Sequence, residues 1–184
     1  MSFINVEIKA RLVPDRNTDS TERAGFIRNY LLDQQAEFRG TDLQTDTYFN
    51  VPNGRLKLRE GNIENNLIYY ERANQAGPKN SFFKLVKVDD AEGLKEALAQ
   101  SVGIKVVVQK KREIYYIGNV KFHLDEVRGL GAFVEIEAGN LLRDLPVKAL
   151  QAQCDHYRSV FRIAEEDLIS VSYSDMLLEA IISQ

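Results

Sequence analysis

The chain has one cysteine, no tryptophan and only four prolines in 184 residues. A lone Cys154 excludes an intrachain disulfide and any multi-cysteine metal site, and it suits a reducing compartment. No run approaches the roughly 20 apolar residues of a membrane span, and no apolar signal stretch follows Met1-Ser2. The expected location is therefore cytoplasmic, with no membrane partner. A strong charge imbalance is missing too. The net charge of −3 argues against general nucleic-acid binding, which needs a basic surface; local basic clusters still suit a small anion. There is no Pro- or Ser-rich linker, low-complexity tract or fixed-period repeat, so residues 1–184 read as one domain. At that size folding buries about 70% of the unfolded chain's surface.

What the chain does have is strand patterns that alternate cleanly but carry charge on one face. Asn5-Val6-Glu7-Ile8-Lys9-Ala10-Arg11, Arg55-Leu56-Lys57-Leu58-Arg59 and Phe133-Val134-Glu135-Ile136-Glu137 are the clearest. Successive strand side chains point to opposite faces. Glu7 thus shares a face with Lys9, Lys57 with Arg59, and Glu135 with Glu137. Further strands are expected at 44–50, 66–72, 81–88, 105–116 and 120–127, with Pro52-Asn53-Gly54, Gly118-Asn119 and Gly129-Leu130-Gly131 as turns.

Helices fill the gaps. Asp19 and Glu22 have capping-box spacing ahead of Phe26, Ile27, Tyr30 and Leu31, which form one apolar stripe. Asp89 and Glu92 precede a second helix. A third is expected over about 145–160, with Asp144 as N-cap and Pro146 in its first turn. A fourth runs from Tyr173 to Ile182. Eight antiparallel strands and four helices can form a barrel with charges inside and helices on its apolar exterior, or the inverse with charges in solvent. Periodicity alone favours neither.

The ionic residues are the chemical candidates. Glu7, Asp125, Glu135 and Glu137 offer hard oxygens suited to magnesium or manganese; a solvated strand edge explains the same pattern. Lys9, Lys57, Arg59, Arg72, Lys110 and Arg112 lie in alternation on several strands, which suits a chain of phosphates. Solubilising surface charge is the plainer explanation, and Arg11, Arg55 and Lys87 are assigned to it. His123 and His156 lack a zinc-site spacing partner and read as structural or exposed. Cys154 sits on a helical apolar stripe and reads as core.

Taken together, Glu7-Ile8-Lys9, Leu56-Lys57-Leu58-Arg59, Lys110-Lys111-Arg112, Leu124-Asp125-Glu126-Val127 and Phe133-Val134-Glu135-Ile136-Glu137 resemble the CYTH family of triphosphate tunnel metalloenzymes. That family includes class IV adenylyl cyclases, thiamine triphosphatases and inorganic triphosphatases. The resemblance implies an α+β fold: a closed eight-stranded antiparallel β-barrel with a charged interior and helices outside. It implies Mg²⁺ or Mn²⁺ on Glu7, Asp125, Glu135 and Glu137, and triphosphate on Lys9, Lys57, Arg59, Arg72, Lys110, Arg112 and, more loosely, Lys79. Glu7, Lys9 and Asp125 are the implied catalytic groups. The partner is a small triphosphate such as ATP, thiamine triphosphate or tripolyphosphate; a homodimer is compatible, and the oligomeric state stays open. The ending Ser172-Tyr173-Ser174-Asp175-Met176-Leu177-Leu178 is closer to the class IV cyclase branch. One departure stands out: Asn5 occupies the place of the first glutamate in the family's opening motif, and it offers a carbonyl oxygen without charge.

Overall fold

In the computed structural model the period-2 runs become strands and the 3.6-period runs become helices. The structure describes residues 5–12, 19–72, 79–140 and 145–182, except for the side chains of residues 72 and 79–82. The elements are β1 (Asn5–Arg11), α1 (Ser20–Asp33), β2 (Glu37–Phe49), β3 (Arg55–Glu60), β4 (Asn66–Arg72), β5 (Lys79–Lys87), α2 (Ala91–Val102), β6 (Ile104–Ile117), β7 (Val120–Val127), β8 (Gly131–Gly139), α3 (Val147–Val160) and α4 (Tyr173–Ile182). None of these helices is long and apolar enough to cross a membrane.

Local signals placed most boundaries. Asp19 and Glu22 form the reciprocal capping box of α1. The apolar stripe is narrower than expected, because Ile27 and Leu31 are buried while Phe26 is largely exposed. β2 starts at Glu37 rather than Gln44, since a bulge at Phe38/Gly40 lets its first turn-like stretch stay laddered to β6. α2 is capped by Asp90 rather than Asp89. α3 starts late, with Pro146 at its N-cap and no side-chain cap; the expected cap Asp144 lies outside the described residues.

All strand pairs are antiparallel, in the order β1-β5-β4-β3-β2-β6-β7-β8. β1 pairs with β8 over seven residue pairs, from Asn5–Gly139 to Arg11–Phe133. Its other edge meets β5 over only Asn5–Ser81, Val6–Asn80 and Glu7–Lys79. The expected closed eight-stranded barrel is met only in part: the strand order returns to β1, but the β1–β5 seam spans just three residue pairs and the curled sheet is open beyond it. An exposed strand edge needs partners for its N–H and C=O groups. Beyond Glu7, the chain after α3 supplies them. Arg11 donates its N–H to the Asp167 carbonyl at 2.9 Å, and Ile169 donates to the Lys9 carbonyl at 2.9 Å. The C-terminal segment thereby stitches the open part of the seam.

The core lies outside the curled sheet, as inward charge requires. Val6, Ile8 and Ala10 of β1, Phe122 and Leu124 of β7, and Val134, Ile136 and Ala138 of β8 pack with Ile27 and Leu31 of α1 and Leu150 and Cys154 of α3. Each fully buried large side chain in this set stabilises the fold by about 1.5–3 kcal/mol. β6 differs from the simple two-faced strand. Its buried positions Val106, Val108, Lys110 and Arg112 lie on one face, apolar at one end, where Val106 and Val108 cluster with Tyr173 of α4, and cationic at the other.

Candidate active site

The inner face of the sheet encloses a cavity of about 210 Å³. Glu7 and Lys9 of β1, Lys57 and Arg59 of β3, Lys110 and Arg112 of β6, and Glu135 and Glu137 of β8 all line it. Eight of the eleven expected site residues therefore meet in one place. Asp125 does not line it. Arg72 and Lys79 fall in β4 and β5, and their side chains lie outside the described ones. Arg55 is not simply a solvated residue: it is partly buried and pairs with Asp175 of α4 at 2.8 Å.

Two buried charge clusters organise the walls. Asp46 of β2 is the hub of the first. It accepts from Lys57 Nζ at 2.8 Å, from Arg59 Nε and Nη2 at 2.8 and 2.9 Å, and from Lys110 Nζ at 2.7 Å. Burial alone would raise its pKa, but Arg59, Lys110 and Lys57 outweigh that and hold it well below the usual carboxylate range. The Lys110 ammonium goes the other way. Burial dominates, Asp46 opposes it, and the cations Arg59, Arg112 and Lys57 reinforce it, so the pKa falls to about 7. Glu64 flanks this cluster, accepting from Arg59 Nη1 at 2.7 Å. Burial favours its neutral form, yet Arg59 brings it down to about 2.

Glu64 is positioned by Asp42, a fully buried β2 residue that accepts the backbone N–H groups of Ile63 and Glu64 at 2.9 and 3.1 Å. Gly61 is part of this arrangement. A Cβ there would sit 2.6 Å from an Asp42 carboxylate oxygen, so only glycine lets the loop approach so closely.

Arg112 is the hub of the second cluster. It forks onto Asp125, with Nε at 2.7 Å from Oδ1, and reaches Glu135 Oε2 at 2.7 Å. Tyr173 donates its hydroxyl to Asp125 at 2.8 Å, which leaves Asp125 behind Arg112 rather than on the cavity surface. Glu135 also pairs with Lys9 at 3.1 Å, and Lys9 lies 3.9 Å from the centroid of the Tyr173 ring. Burial pushes both carboxylates upward; Arg112 more than offsets this, and Lys9 helps to hold Glu135 well below its ordinary value.

Several lining residues escaped the sequence reading. Asp46 sits in Gln44-Thr45-Asp46-Thr47, where both faces are polar and alternation gives no contrast. Lys121 and His123 were more legible, because Lys121-Phe122-His123-Leu124-Asp125 alternates cleanly. His123 was expected to be structural or exposed; it is buried and lines the cavity. Burial, aided by Arg112, lowers its pKa, so it is neutral at pH 7. Its Nδ1 lies 3.1 Å from Glu135 Oε2, and Nε2 has no partner among the described residues. With a carboxylate on Nδ1, the proton belongs there and Nε2 keeps its lone pair. Cys154 is core, as expected: it is fully buried, and burial pushes its thiol to about 12.

Residues 4–170 match the CYTH domain. The chain belongs to the CYTH family. A curated protein of Methanocaldococcus jannaschii named "Putative adenylate cyclase" is 26% identical over 95% of this chain and 98% of its own length. Among solved structures, the PH1012 protein of Pyrococcus horikoshii superposes with a TM-score of 0.76 at 24% identity, covering 93% of this chain and 98% of that one. The Pct1 RNA triphosphatase of Schizosaccharomyces pombe shares the fold more distantly, with a TM-score of 0.50 at 12% identity over 90% of this chain and 84% of that one.

Membership of the CYTH family implies a divalent metal, so the donors must be weighed against one. Among the described residues no three His, Cys, Asp or Glu side chains converge into a cluster that would hold a metal ion. Asp125 and Glu135 are already neutralised by protein cations. Glu7 and Glu137 are cross-strand partners on β1 and β8, and both line the cavity. Two like charges placed opposite each other repel. Asn5 donates to Glu137 at 2.7 Å, and Lys121, opposite Glu137 on β7, has its pKa raised chiefly by that glutamate. Two carboxylates with the remaining positions filled by water and phosphate is how Mg²⁺ is commonly bound. The donor set fits a cation that arrives with a phosphate ligand.

Proposed function

We propose that this cavity binds a triphosphate and cleaves one of its phosphoanhydride bonds. The observation that carries the reading is the convergence of Lys9, Lys57, Arg59, Lys110 and Arg112, from β1, β3 and β6, on one cavity. Buried cations in fixed geometry suit phosphate oxygens, with Arg forks and Lys point charges complementing one another. Phosphoryl chemistry needs mainly positioning and charge neutralisation, which such a wall supplies without a covalent nucleophile. Arg72 and Lys79 complete the phosphate-binding set in this reading, and the partly open barrel works as a tunnel around the ligand.

The charge balance speaks for metal dependence. Among the described residues, six cations and five carboxylates line the cavity, so the wall is close to neutral against a highly charged triphosphate. Glu7 and Glu137 would hold a divalent cation, Mg²⁺ or Mn²⁺, which when bound supplies further charge neutralisation and Lewis acidity at phosphorus. The chain's own cations orient the phosphates. Lys9, braced by Glu135 and the Tyr173 ring, stands on the same face of β1 as Glu7 and lines the same cavity.

Within this class we favour the adenylyl cyclase reaction, ATP to cyclic AMP and pyrophosphate, on the strength of the similarity to the Methanocaldococcus jannaschii protein named for that activity. Hydrolysis of thiamine triphosphate or tripolyphosphate is the competing reaction on the same wall. Incubation with ATP, thiamine triphosphate and tripolyphosphate in Mg²⁺ or Mn²⁺ separates them: cyclic AMP selects the cyclase, orthophosphate alone the hydrolase. A non-catalytic phosphate binder is a second reading, favoured by Asn5 and by the neutralised Asp125 and Glu135. Tight calorimetric binding without turnover in either metal selects it.

A further inference from the structure

One wall of the cavity carries no charge. Ile68 and Tyr70 of β4 and Phe83 and Leu85 of β5 line it. The register sets Ile68 opposite Leu85 and Tyr70 opposite Phe83. Alternate residues share a face, so the four side chains form one contiguous apolar patch. The protein does not seal this patch: Phe83 is 37% exposed and Leu85 51%. It adjoins the cationic wall directly. Lys57 is the cross-strand partner of Ile68, its ammonium lies 5.8 Å from the Tyr70 ring centroid, and Tyr48 meets Tyr70 hydroxyl to hydroxyl at 3.4 Å.

Single exposed apolar side chains are ordinary. Four together, in a cavity whose remaining walls are mostly charged or polar, have the composition of a ligand wall. Phosphate gains nothing from such a surface, whereas a flat aromatic ring gains from both the aliphatic and the aromatic neighbours. A bare polyphosphate leaves the patch wet.

We propose that this wall seats the planar heterocyclic head of an organic triphosphate whose phosphate chain lies on Lys57, Arg59 and Lys110. The inference rests on the triphosphate reading above. It commits the site to triphosphate esters with an aromatic head, rather than to inorganic tripolyphosphate.

The test is calorimetry in Mg²⁺ on the wild-type chain and on Phe83→Ser with Leu85→Ser, using ATP, thiamine triphosphate and tripolyphosphate. Both substituted side chains reach solvent, and retained tripolyphosphate binding reports that the fold is intact. The double variant is expected to bind at least one organic triphosphate about tenfold more weakly, about 1.4 kcal/mol, with tripolyphosphate changed less than about twofold. Equal loss for all ligands, or no loss for either organic one, overturns the inference and leaves the triphosphate site standing. Wild-type binding of tripolyphosphate but of neither organic ligand does the same. If the wild-type chain binds none of the three, the triphosphate reading itself falls.

Discussion

Replacing Asp46 by asparagine removes the counter-charge at the centre of the cationic wall without changing side-chain size. Asp46 is 1% exposed and receives four charge-assisted hydrogen bonds from Lys57, Arg59 and Lys110. Taking away one partner of a buried ionic cluster costs about 3–5 kcal/mol, because the remaining charges are left desolvated and uncompensated. The low end applies here: Glu64 still accepts from Arg59, and Lys110, already near 7, can shed its proton. At about 3 kcal/mol, and about 2–4 °C per kcal/mol for a chain of this length, Asp46→Asn lowers Tm by about 6–12 °C. A polyanion should restore what the substitution removed. Tripolyphosphate should therefore raise the Tm of the variant by more than it raises that of the wild type. Thermal unfolding at pH 7, with and without tripolyphosphate, measures both. A Tm within about 2 °C of wild type, together with an equal increment from tripolyphosphate, would refute the view that Asp46 holds the place of the bound anion.

Three further outcomes are expected. Lys110 has a folded pKa of about 7 against an ordinary 10.5, so its buried charge weakens the fold below pH 7, and that cost is relieved as pH rises from about 7 to 10.5. A polyanion favours the protonated form, so triphosphate affinity should fall as pH rises through about 7; Lys110→Arg, which stays charged beside Asp46, Arg59, Arg112 and Lys57, should flatten a calorimetric profile from pH 6 to 9. Glu7→Gln with Glu137→Gln should abolish the enhancement of tripolyphosphate binding by Mg²⁺ while leaving binding in chelator nearly unchanged; an undiminished Mg²⁺ effect would place the metal elsewhere. The Cys154 thiol, buried and pushed to about 12, should resist a thiol reagent in native buffer and react at once in denaturant; rapid native labelling would contradict its place in the core.

Much of the architecture was readable because strand and helix signals are local. The capping box at Asp19 and Glu22, the bounds of β3 and β4, and the inward pairs on β1, β3, β6 and β8 depend on residues close together in the chain. The site was less readable, in a consistent way. Asp46 lies between threonines, so nothing marks its face as the inner one. Glu64 reaches the cavity from a loop, held there by a contact with Asp42 that spans β2 and the β3–β4 connection. Asp125 illustrates the opposite error: its alternation with His123 is correct, but Arg112 and Tyr173 occupy both its oxygens and withdraw it from the cavity surface.

By itself, the order of residues determined which side chains share a face, because a strand's period of two is a property of its backbone and needs no partner. It also determined that those faces carry charge in a chain with a single cysteine and no net basicity. Only the tertiary structure decided that the charged faces look inward, that β1 meets β5 over three residue pairs while residues 167–169 take the rest of its edge, and that Asp46 neutralises Lys57, Arg59 and Lys110 while Arg112 neutralises Asp125 and Glu135 across strands far apart in sequence. Curvature and register bring distant residues within hydrogen-bonding distance, and both depend on the whole sheet rather than on any one strand.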